Sequence, residues 1–319
     1  RQGGPLLDLT VRGLETFDPF LSDLRLEVPH AEIPYARDGL LEVAAREDGL
    51  ARLAALAREL ERWRIPAELL DRVTVRECEP LLAGDVVGGL LIPRQGAVVP
   101  RAFYSALYDA AVARGVRFER ARAVRVSNGR QGTNHLTVET DGGHRSADWV
   151  IMAAGCRSGQ IDIDGTSLAA PVRPVRGQLL ALDWPAPVLR RVTWNERCYL
   201  VPGADGTLLV GATVEDAGFA EHNTVAGIRD LIDAVCDLLP RAGDASFREA
   251  RVGLRPGTPD GLPILGPSTV HPRLVFATGH YRNGILLAPL TAKMVAAVVV
   301  DGVLDPMLRA ARPNRFGQL

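Results

Sequence analysis

The last third of the chain contains a short apolar strand, a glycine loop and a long apolar helix in direct succession. The strand covers Leu274–Ala277, the loop reads Gly279-His280-Tyr281-Arg282-Asn283-Gly284, and the helix is expected over Ile285–Val300. A helix that follows such a loop turns its free amides and its positive dipole end outward. The order therefore predicts an α/β layer with an anion-binding loop. An ordinary strand-to-helix turn, in which glycines supply positive φ, would also fit the local pattern.

A second arginine lies at the end of another predicted strand. The sequence Gly253-Leu254-Arg255-Pro256-Gly257 places Arg255 beside a proline that fixes the backbone and a glycine that allows close approach. A guanidinium held in this way suits bidentate recognition of a carboxylate, although a surface ion pair would also fit. Tyr199 alternates with apolar residues on a further strand. Its hydroxyl could face the same anion, or it could be a core tyrosine with one hydrogen bond.

Helical and strand periodicities alternate along the chain, which predicts an α/β protein with two interleaved domains. A cofactor-binding α/β layer is expected from residues 1–32, 100–171 and 252–319, and a more antiparallel substrate layer from residues 33–99 and 172–251. Helices are predicted at Leu6–Arg25, Gly49–Arg64, Pro100–Arg114, Val225–Leu239 and Ile285–Val300, strands at Val116–Val126, Leu136–Thr140, Asp148–Ala153, Pro171–Asp183, Val192–Pro202, Thr207–Val214 and Ser246–Leu254, and a turn at Asp141–Gly143.

Charge and cysteine spacing exclude several classes of protein. The chain has 37 basic and 38 acidic residues and a net charge of -1, so no broad cationic field is available for nucleic acid or anionic lipid. The cysteines form no CxxC pair, which argues against a metal site and predicts free thiols in a reducing, cytoplasmic compartment. They are Cys78, Cys156, Cys198 and Cys236. No GxSxG elbow, P-loop, HExxH or EF-hand loop occurs, so hydrolase and metalloenzyme chemistry are disfavoured.

The most apolar stretch runs from Gly284 to Gly302. Pro289 and Lys293 interrupt it, and its uninterrupted part is shorter than the roughly 20 residues that a membrane span needs. A buried helix is therefore expected here, and no membrane span.

Several motifs, in the right order, resemble the glycine oxidase and D-amino acid oxidase family of FAD enzymes, most closely the glycine oxidases associated with thiamine biosynthesis. The resemblance extends over nearly the whole chain. It is densest in Cys198–Pro202, Leu209–Thr213, Gly253–Gly261 and Gly279–Pro289, with further matches at Asp38–Leu41 and Ala153–Gly155.

The resemblance implies an FAD-binding domain interleaved with an antiparallel substrate domain, and a role for each matching residue. Arg255 would pair with the substrate carboxylate, Tyr199 would hydrogen-bond to it, and Arg282 would help to close the site. Val124 would touch the adenine side of FAD, and Ala153, Ala154 and Gly155 its ribityl or pyrophosphate region. The flavin ring would lie along a loop made of Gly279, His280, Tyr281, Arg282, Asn283, Gly284, Ile285 and Leu286.

The implied reaction is oxidation of glycine or another small amino acid to an imine, with O2 as acceptor, H2O2 as product and a place in thiazole synthesis. No strong general base is needed, because orientation and charge placement suffice for hydride loss from a neutral amine. A D-amino acid or sarcosine oxidase or dehydrogenase with another acceptor is the alternative within this class. A non-catalytic remnant is the alternative outside it, and a homo-oligomer is left open.

The family opens with a strand, a GxGxxG turn, a helix and an acidic residue, a unit of about 30 residues that holds the pyrophosphate and the ribose. No GxGxxG sequence occurs in this chain, which begins with Arg1. We therefore expect an incomplete chain that lacks the first βαβ unit of its Rossmann-like domain and binds FAD weakly by itself.

Overall fold

Helices and mixed β-sheets build the chain in a computed structural model that describes residues 4–129, 135–164, 169–184 and 189–319. The α-helices of these ranges are α1 (Pro5–Glu27), α2 (Glu47–Arg62), α3 (Arg72–Cys78), α4 (Pro100–Ala113), α5 (Val225–Leu238) and α6 (Gly284–Ala296). The strands are β1 (Tyr35–Ala36), β2 (Leu40–Ala44), β3 (Glu68–Asp71), β4 (Gly88–Ile92), β5 (Ala97–Val98), β6 (Ala123–Asn128), β7 (Leu136–Thr140), β8 (Gly143–Ala147), β9 (Val150–Met152), β10 (Asp162–Ile163), β11 (Arg173–Asp183), β12 (Val192–Trp194), β13 (Tyr199–Pro202), β14 (Thr207–Gly211), β15 (Ser246–Gly257), β16 (Ile264–Pro267) and β17 (Leu274–Thr278).

The largest sheet has the strand order β15-β11-β14-β13-β12-β2-β4-β3 and is antiparallel except where β12 pairs with β2. Side chains alternate between its two faces because the period of a strand is two residues. One face buries Leu180, Leu200 and Val210 in the core cluster that also contains Leu231 of α5. We call this the back face. The opposite, front face carries the candidate site described below.

A three-stranded sheet, of order β16-β17-β9, leads into α6. Strand β17 is parallel to β9 and antiparallel to β16. Helix α6 buries Leu287, Leu290 and Met294 in one cluster with Leu9 of α1 and Leu265 of β16. This sheet therefore fixes the direction in which the first turn of α6 points.

The apolar stretch at Gly284–Asp301 is long and apolar enough to cross a membrane by length and composition, and 33% of it is buried in the structure. Its buried residues include Leu287, Leu290 and Met294, which pack with Leu9 of α1 and Leu265 of β16. The expected absence of a membrane span stays a prediction.

Two sequence predictions about strands were wrong, each for a local reason. Val192–Pro202 is not one strand but the hairpin β12–β13, because Asn195 accepts a hydrogen bond from the Cys198 amide at 2.8 Å and turns the chain. The segment before Ala123 is not a strand, since Val116 donates instead to Ala111 at the end of α4.

The predicted turn at Asp141–Gly143 is present, but the strand that follows it was not predicted. The turn joins β7 to an additional strand, β8, rather than leading towards β9. Strand β8 gave no apolar alternation because its central residues, His144, Arg145 and Ser146, are exposed. The predicted domain division stays a prediction, although its boundary after residue 251 falls inside β15.

Candidate active site

Three glycines on neighbouring strands leave the front face of the large sheet open. Gly177 of β11 pairs with Gly253 of β15, and Gly211 of β14 pairs with Tyr199 of β13. Because cross-strand partners share a face, larger side chains from nearby positions can lie flat over these glycines. The strand register thus leaves a flat surface at Gly177, Gly211 and Gly253, which we call the glycine floor. Arg255 and Tyr199 pack on it.

Arg255 lies directly over Gly177. A Cβ atom at Gly177 would come within 2.2 Å of its Nη2 atom. Its Nη1 atom donates to the carbonyl oxygens of Thr213 at 3.0 Å and Arg176 at 3.4 Å. Two carbonyl acceptors hold this half-buried guanidinium without neutralising its charge.

The positive charge of Arg255 is available to an anion. Within the described ranges, neither Arg255 nor Arg282 forms an ion pair with a carboxylate. Burial lowers the pKa of Arg255, and the charge of Arg282 lowers it further. A bound carboxylate would relieve both effects, because it would restore an opposite charge beside a desolvated guanidinium.

Tyr199 covers Gly211 and stacks on Trp194. A Cβ atom at Gly211 would lie 2.1 Å from Cζ of Tyr199, so only glycine leaves room for this ring. The ring centroids of Tyr199 and Trp194 are 5.4 Å apart, with an interplanar angle of 26°. Sequence reasoning missed Trp194, although its position at the end of an alternating strand segment was a signal for a residue on the same face as Tyr199.

The loop after β17 brings Arg282 to the same face. The amide of Tyr281 donates to the carbonyl of Pro256 at 3.0 Å, which ties the loop to the residue after Arg255. Gly279 has φ of 74° and no room for a side chain, since a Cβ would lie 2.5 Å from Thr258. The guanidinium carbon of Arg282 lies 5.4 Å from the ring centre of Trp194, a cation–π distance.

His280 differs from its neighbours in the loop because its side chain turns inward. Its Nε2 atom lies 3.0 Å from Oγ1 of Thr291 on α6. Burial lowers the pKa of His280 to about 4, so the imidazole is neutral near pH 7. The side chain of His280 is thus engaged by α6.

The first turn of α6 is open. Asn283 precedes the helix and makes no side-chain hydrogen bond to it, and Gly284 and Ile285 are exposed. The amides of such a first turn have no partner within the helix, so they attract a carbonyl oxygen or an anion. Leu286 completes this turn and is half-buried.

A second open stretch of backbone follows β9, where Ala153 and Ala154 are exposed. Gly155 has φ of 57°, and a Cβ at this position would meet no atom within 4 Å. Its carbonyl accepts a hydrogen bond from Thr278 at 3.1 Å, which holds the stretch beside the loop after β17. Val124 is also exposed, but it belongs to the separate four-stranded sheet of order β10-β6-β7-β8.

Residues 4–298 match a protein family described as FAD dependent oxidoreductase, abbreviated DAO. The chain belongs to this family. The resemblance noted in its sequence and the expected fold class are thereby confirmed, and the cofactor of the DAO family is FAD.

Three comparisons show the range of similar DAO proteins. A glycine oxidase of Geobacillus kaustophilus is 31% identical over 92% of this chain and 78% of its own length. A crystal structure of glycine oxidase from that organism superposes with a TM-score of 0.91 at 28% identity, covering 99% of this chain and 84% of the other. The bifunctional protein ThiO/ThiG of Synechocystis is 39% identical over 77% of this chain, which spans only 37% of that protein.

The residues described above fit the ring end of FAD. The open amides of Gly284–Leu286 suit the carbonyl edge of a flavin, and the exposed backbone of Ala153–Gly155 allows a close approach. The sequence supplies no GxGxxG turn for the pyrophosphate. This DAO chain thus has stretches of open backbone that fit part of FAD, and three side chains, Arg255, Tyr199 and Arg282, on one face of the large sheet.

Proposed function

We propose that this DAO-family chain acts as an FAD-dependent oxidase of glycine or another small amino acid, which it converts to the imine. The observation that carries the proposal is Arg255, held over Gly177 by two carbonyl groups and left without a carboxylate partner in the described part of the chain. When bound, FAD accepts the hydride and passes the electrons to O2, which yields H2O2.

In this proposal Arg255 binds the substrate carboxylate and Tyr199 donates a hydrogen bond to it. A charge-assisted pair to a fixed guanidinium gives orientation as well as affinity. Arg282, stacked over Trp194, supplies a second positive charge at the same face. The substrate is thus held by its acidic end, and its α-carbon is left free to react.

The two guanidinium groups also favour the reactive form of the substrate. A nearby positive charge disfavours an ammonium group and lowers its pKa. The neutral amine, from which hydride leaves, therefore forms more readily beside Arg255 and Arg282 than in water. No carboxylate or imidazole base has to be recruited for this step.

A role in thiazole and thiamine biosynthesis is part of the proposal. It is supported by the similarity to the bifunctional ThiO/ThiG proteins of Synechocystis and of Nostoc, each 39% identical over the matched region. In that setting the imine would be consumed by thiazole formation before water hydrolyses it to the keto acid and ammonia.

The test is the visible spectrum of the purified chain after incubation with FAD and desalting, followed by anaerobic addition of glycine. A retained flavin band that bleaches supports the proposal, and relative rates on glycine, sarcosine and D-alanine then define the preferred amine. A colourless protein would contradict the proposal for this chain and favour a non-catalytic remnant. A retained band that no amine bleaches would contradict amine oxidation itself.

A further inference from the structure

A partly buried polar cluster lies on the back face, behind Arg255. Glu215 is at its centre and accepts hydrogen bonds from Nη2 of Arg176 at 2.5 Å, from Nε2 of Gln178 at 2.8 Å and from Oγ1 of Thr213 at 2.5 Å. Gln178 is completely buried. It also accepts from the amide of Thr224 at 2.7 Å, so the cluster is anchored to the residue that caps α5.

The main chain links this cluster to the front face. The segment after β14 runs beside β11, with the amide of Thr213 donating to Gln178 at 3.2 Å and the amide of Glu215 donating to Arg176 at 3.0 Å. The carbonyls that hold the guanidinium of Arg255 belong to Thr213 and Arg176. The two carbonyl groups that accept from Arg255 on the front face therefore belong to Thr213 and Arg176, whose side chains are bound to Glu215 on the back face.

The charge of Glu215 is committed to the cluster. Burial by itself would raise the pKa of Glu215, but hydrogen bonds from Thr213, Arg176 and Gln178 outweigh burial and lower it. The carboxylate is thus ionised at neutral pH and engaged by Arg176. Arg176 thereby holds Glu215 in an ion pair, and Glu215 acts on Arg255 only through space, where it raises the pKa of Arg255 less than Arg282 lowers it.

We propose that Arg176, Gln178, Thr213 and Glu215 form a positioning device for Arg255. They fix the two carbonyl acceptors and keep Glu215 on the back face, so that the guanidinium meets an anion in one orientation and with its charge free. None of these four residues touches the substrate in this scheme. The identity of the anion as an amino acid carboxylate rests on the proposed function, whereas the positioning itself does not.

One pair of variants at Thr213 distinguishes the effect of the lost hydrogen bonds from the effect of a change in side-chain volume. Thr213→Val removes the hydroxyl that accepts from the Gln178 amide at 2.9 Å and donates to Glu215, with little change in volume. Thr213→Ser retains that hydroxyl and serves as the conservative rescue.

A second pair isolates the charge. Glu215→Gln neutralises the centre of the cluster, and Asp216→Asn makes the same chemical change one residue later. Asp216 forms an ion pair with Arg173 at 2.7 Å, and its side chain is 77% exposed. This pair still tests the proposal where Thr213→Val does not fold.

Acetate, as a minimal carboxylate, is the probe for calorimetric titration of each variant in the presence of FAD. We expect Thr213→Val and Glu215→Gln to weaken acetate binding about tenfold, the factor that corresponds to 1.4 kcal/mol. Thr213→Ser and Asp216→Asn should bind acetate as the parent chain does. For a chain that oxidises glycine, Thr213→Val and Glu215→Gln should raise KM and leave kcat within about twofold. The reason is that the lost interaction stabilises the bound substrate and the transition state equally.

A crystal structure of Glu215→Gln provides the readout that needs neither flavin nor turnover. The proposal expects the guanidinium of Arg255 to leave the carbonyl of Thr213. An Arg255 that stays on both carbonyls, together with unchanged acetate affinity in Glu215→Gln and Thr213→Val, would overturn it. A displaced Arg255 in a chain that never oxidises glycine would uphold the positioning role and refute only the proposed function.

Discussion

Two arginines on opposite faces of the large sheet have opposite electrostatic surroundings. Arg176 on the back face is 7% exposed and is paired with Glu215. Arg255 on the front face is held by carbonyl oxygens and, within the described residues, has no paired carboxylate. A buried charge without its partner is costly, so a chain that retains one can use it for an anionic ligand. The contrast separates an arginine that stabilises the fold from one that is available for binding.

The largest effect is expected from Arg255→Ala. If the carboxylate pair is buried in the complex, its loss should cost about 2–5 kcal/mol of substrate binding. Glycine KM should rise by orders of magnitude, while flavin content and the urea midpoint stay close to those of the parent chain. Steady-state kinetics with a flavin spectrum of the same sample measures both. Unchanged kinetics would remove Arg255 from the site.

Arg176→Ala should show the reverse pattern, a loss of stability. It leaves Glu215 without a cationic partner, and the cost should be about 2 kcal/mol, below the range for fully buried pairs because the Glu215 side chain is 27% exposed. Urea unfolding followed by circular dichroism measures it, with Arg173→Ala as the surface control. If Arg176→Ala and Arg173→Ala were equally stable, Arg176 would not have the stabilising role that distinguishes it from Arg255.

Gly177→Ala tests whether Arg255 needs the space that the glycine floor leaves beneath its guanidinium. Its Cβ would overlap the end of a long side chain rather than the backbone, so the guanidinium should move while the fold persists. We expect acetate affinity to fall about tenfold, the equivalent of 1.4 kcal/mol, with little change in the urea midpoint. The cross-strand partner is the matched variant, since a Cβ at Gly253 would meet nothing within 4 Å. If Gly253→Ala lost as much affinity as Gly177→Ala, overlap with Arg255 would not be the cause.

Trp194→Leu should have the smallest effect. It removes the ring beneath Arg282, and an exposed cation–π contact contributes about 0.5–1 kcal/mol, so a twofold to fivefold rise in glycine KM is expected. Trp194→Phe retains an aromatic ring and should fall between the parent chain and Trp194→Leu. A loss confined to protein stability, with KM unchanged, would place Trp194 in the core and outside the site.

Several parts of the fold could be predicted from the sequence because they depend on local periodicity. Helix α1 begins and ends within two residues of the predicted Leu6–Arg25, and the long strand β11 lies inside the predicted Pro171–Asp183. The expected free thiols are also confirmed, since Cys78, Cys156, Cys198 and Cys236 are unpaired. Strand β8 could not be found, because its exposed polar residues carry no pattern that distinguishes a strand from a loop.

The candidate site was predictable in part. Arg255, Tyr199 and Arg282 lie in motifs that resemble those of the glycine oxidases. The residues around them, glycine and proline above all, also indicated a binding site. Their roles stay predictions, but the structure does bring the three onto one face. Gln178 and Glu215 gave no such signal, since a polar residue within a strand or just after one is equally typical of a solvated edge.

By itself the sequence determined the positions of the long helices and of strand β11, the glycine loop before α6 and the family to which the chain belongs. Only the tertiary structure decided that Gly177 and Gly211 lie beneath Arg255 and Tyr199, and that Glu215 is paired with Arg176 and not with Arg255. The physical reason is strand register. A shift of one residue along β11 would exchange its two faces, and the pairing that fixes this register joins strands about 80 residues apart in the chain.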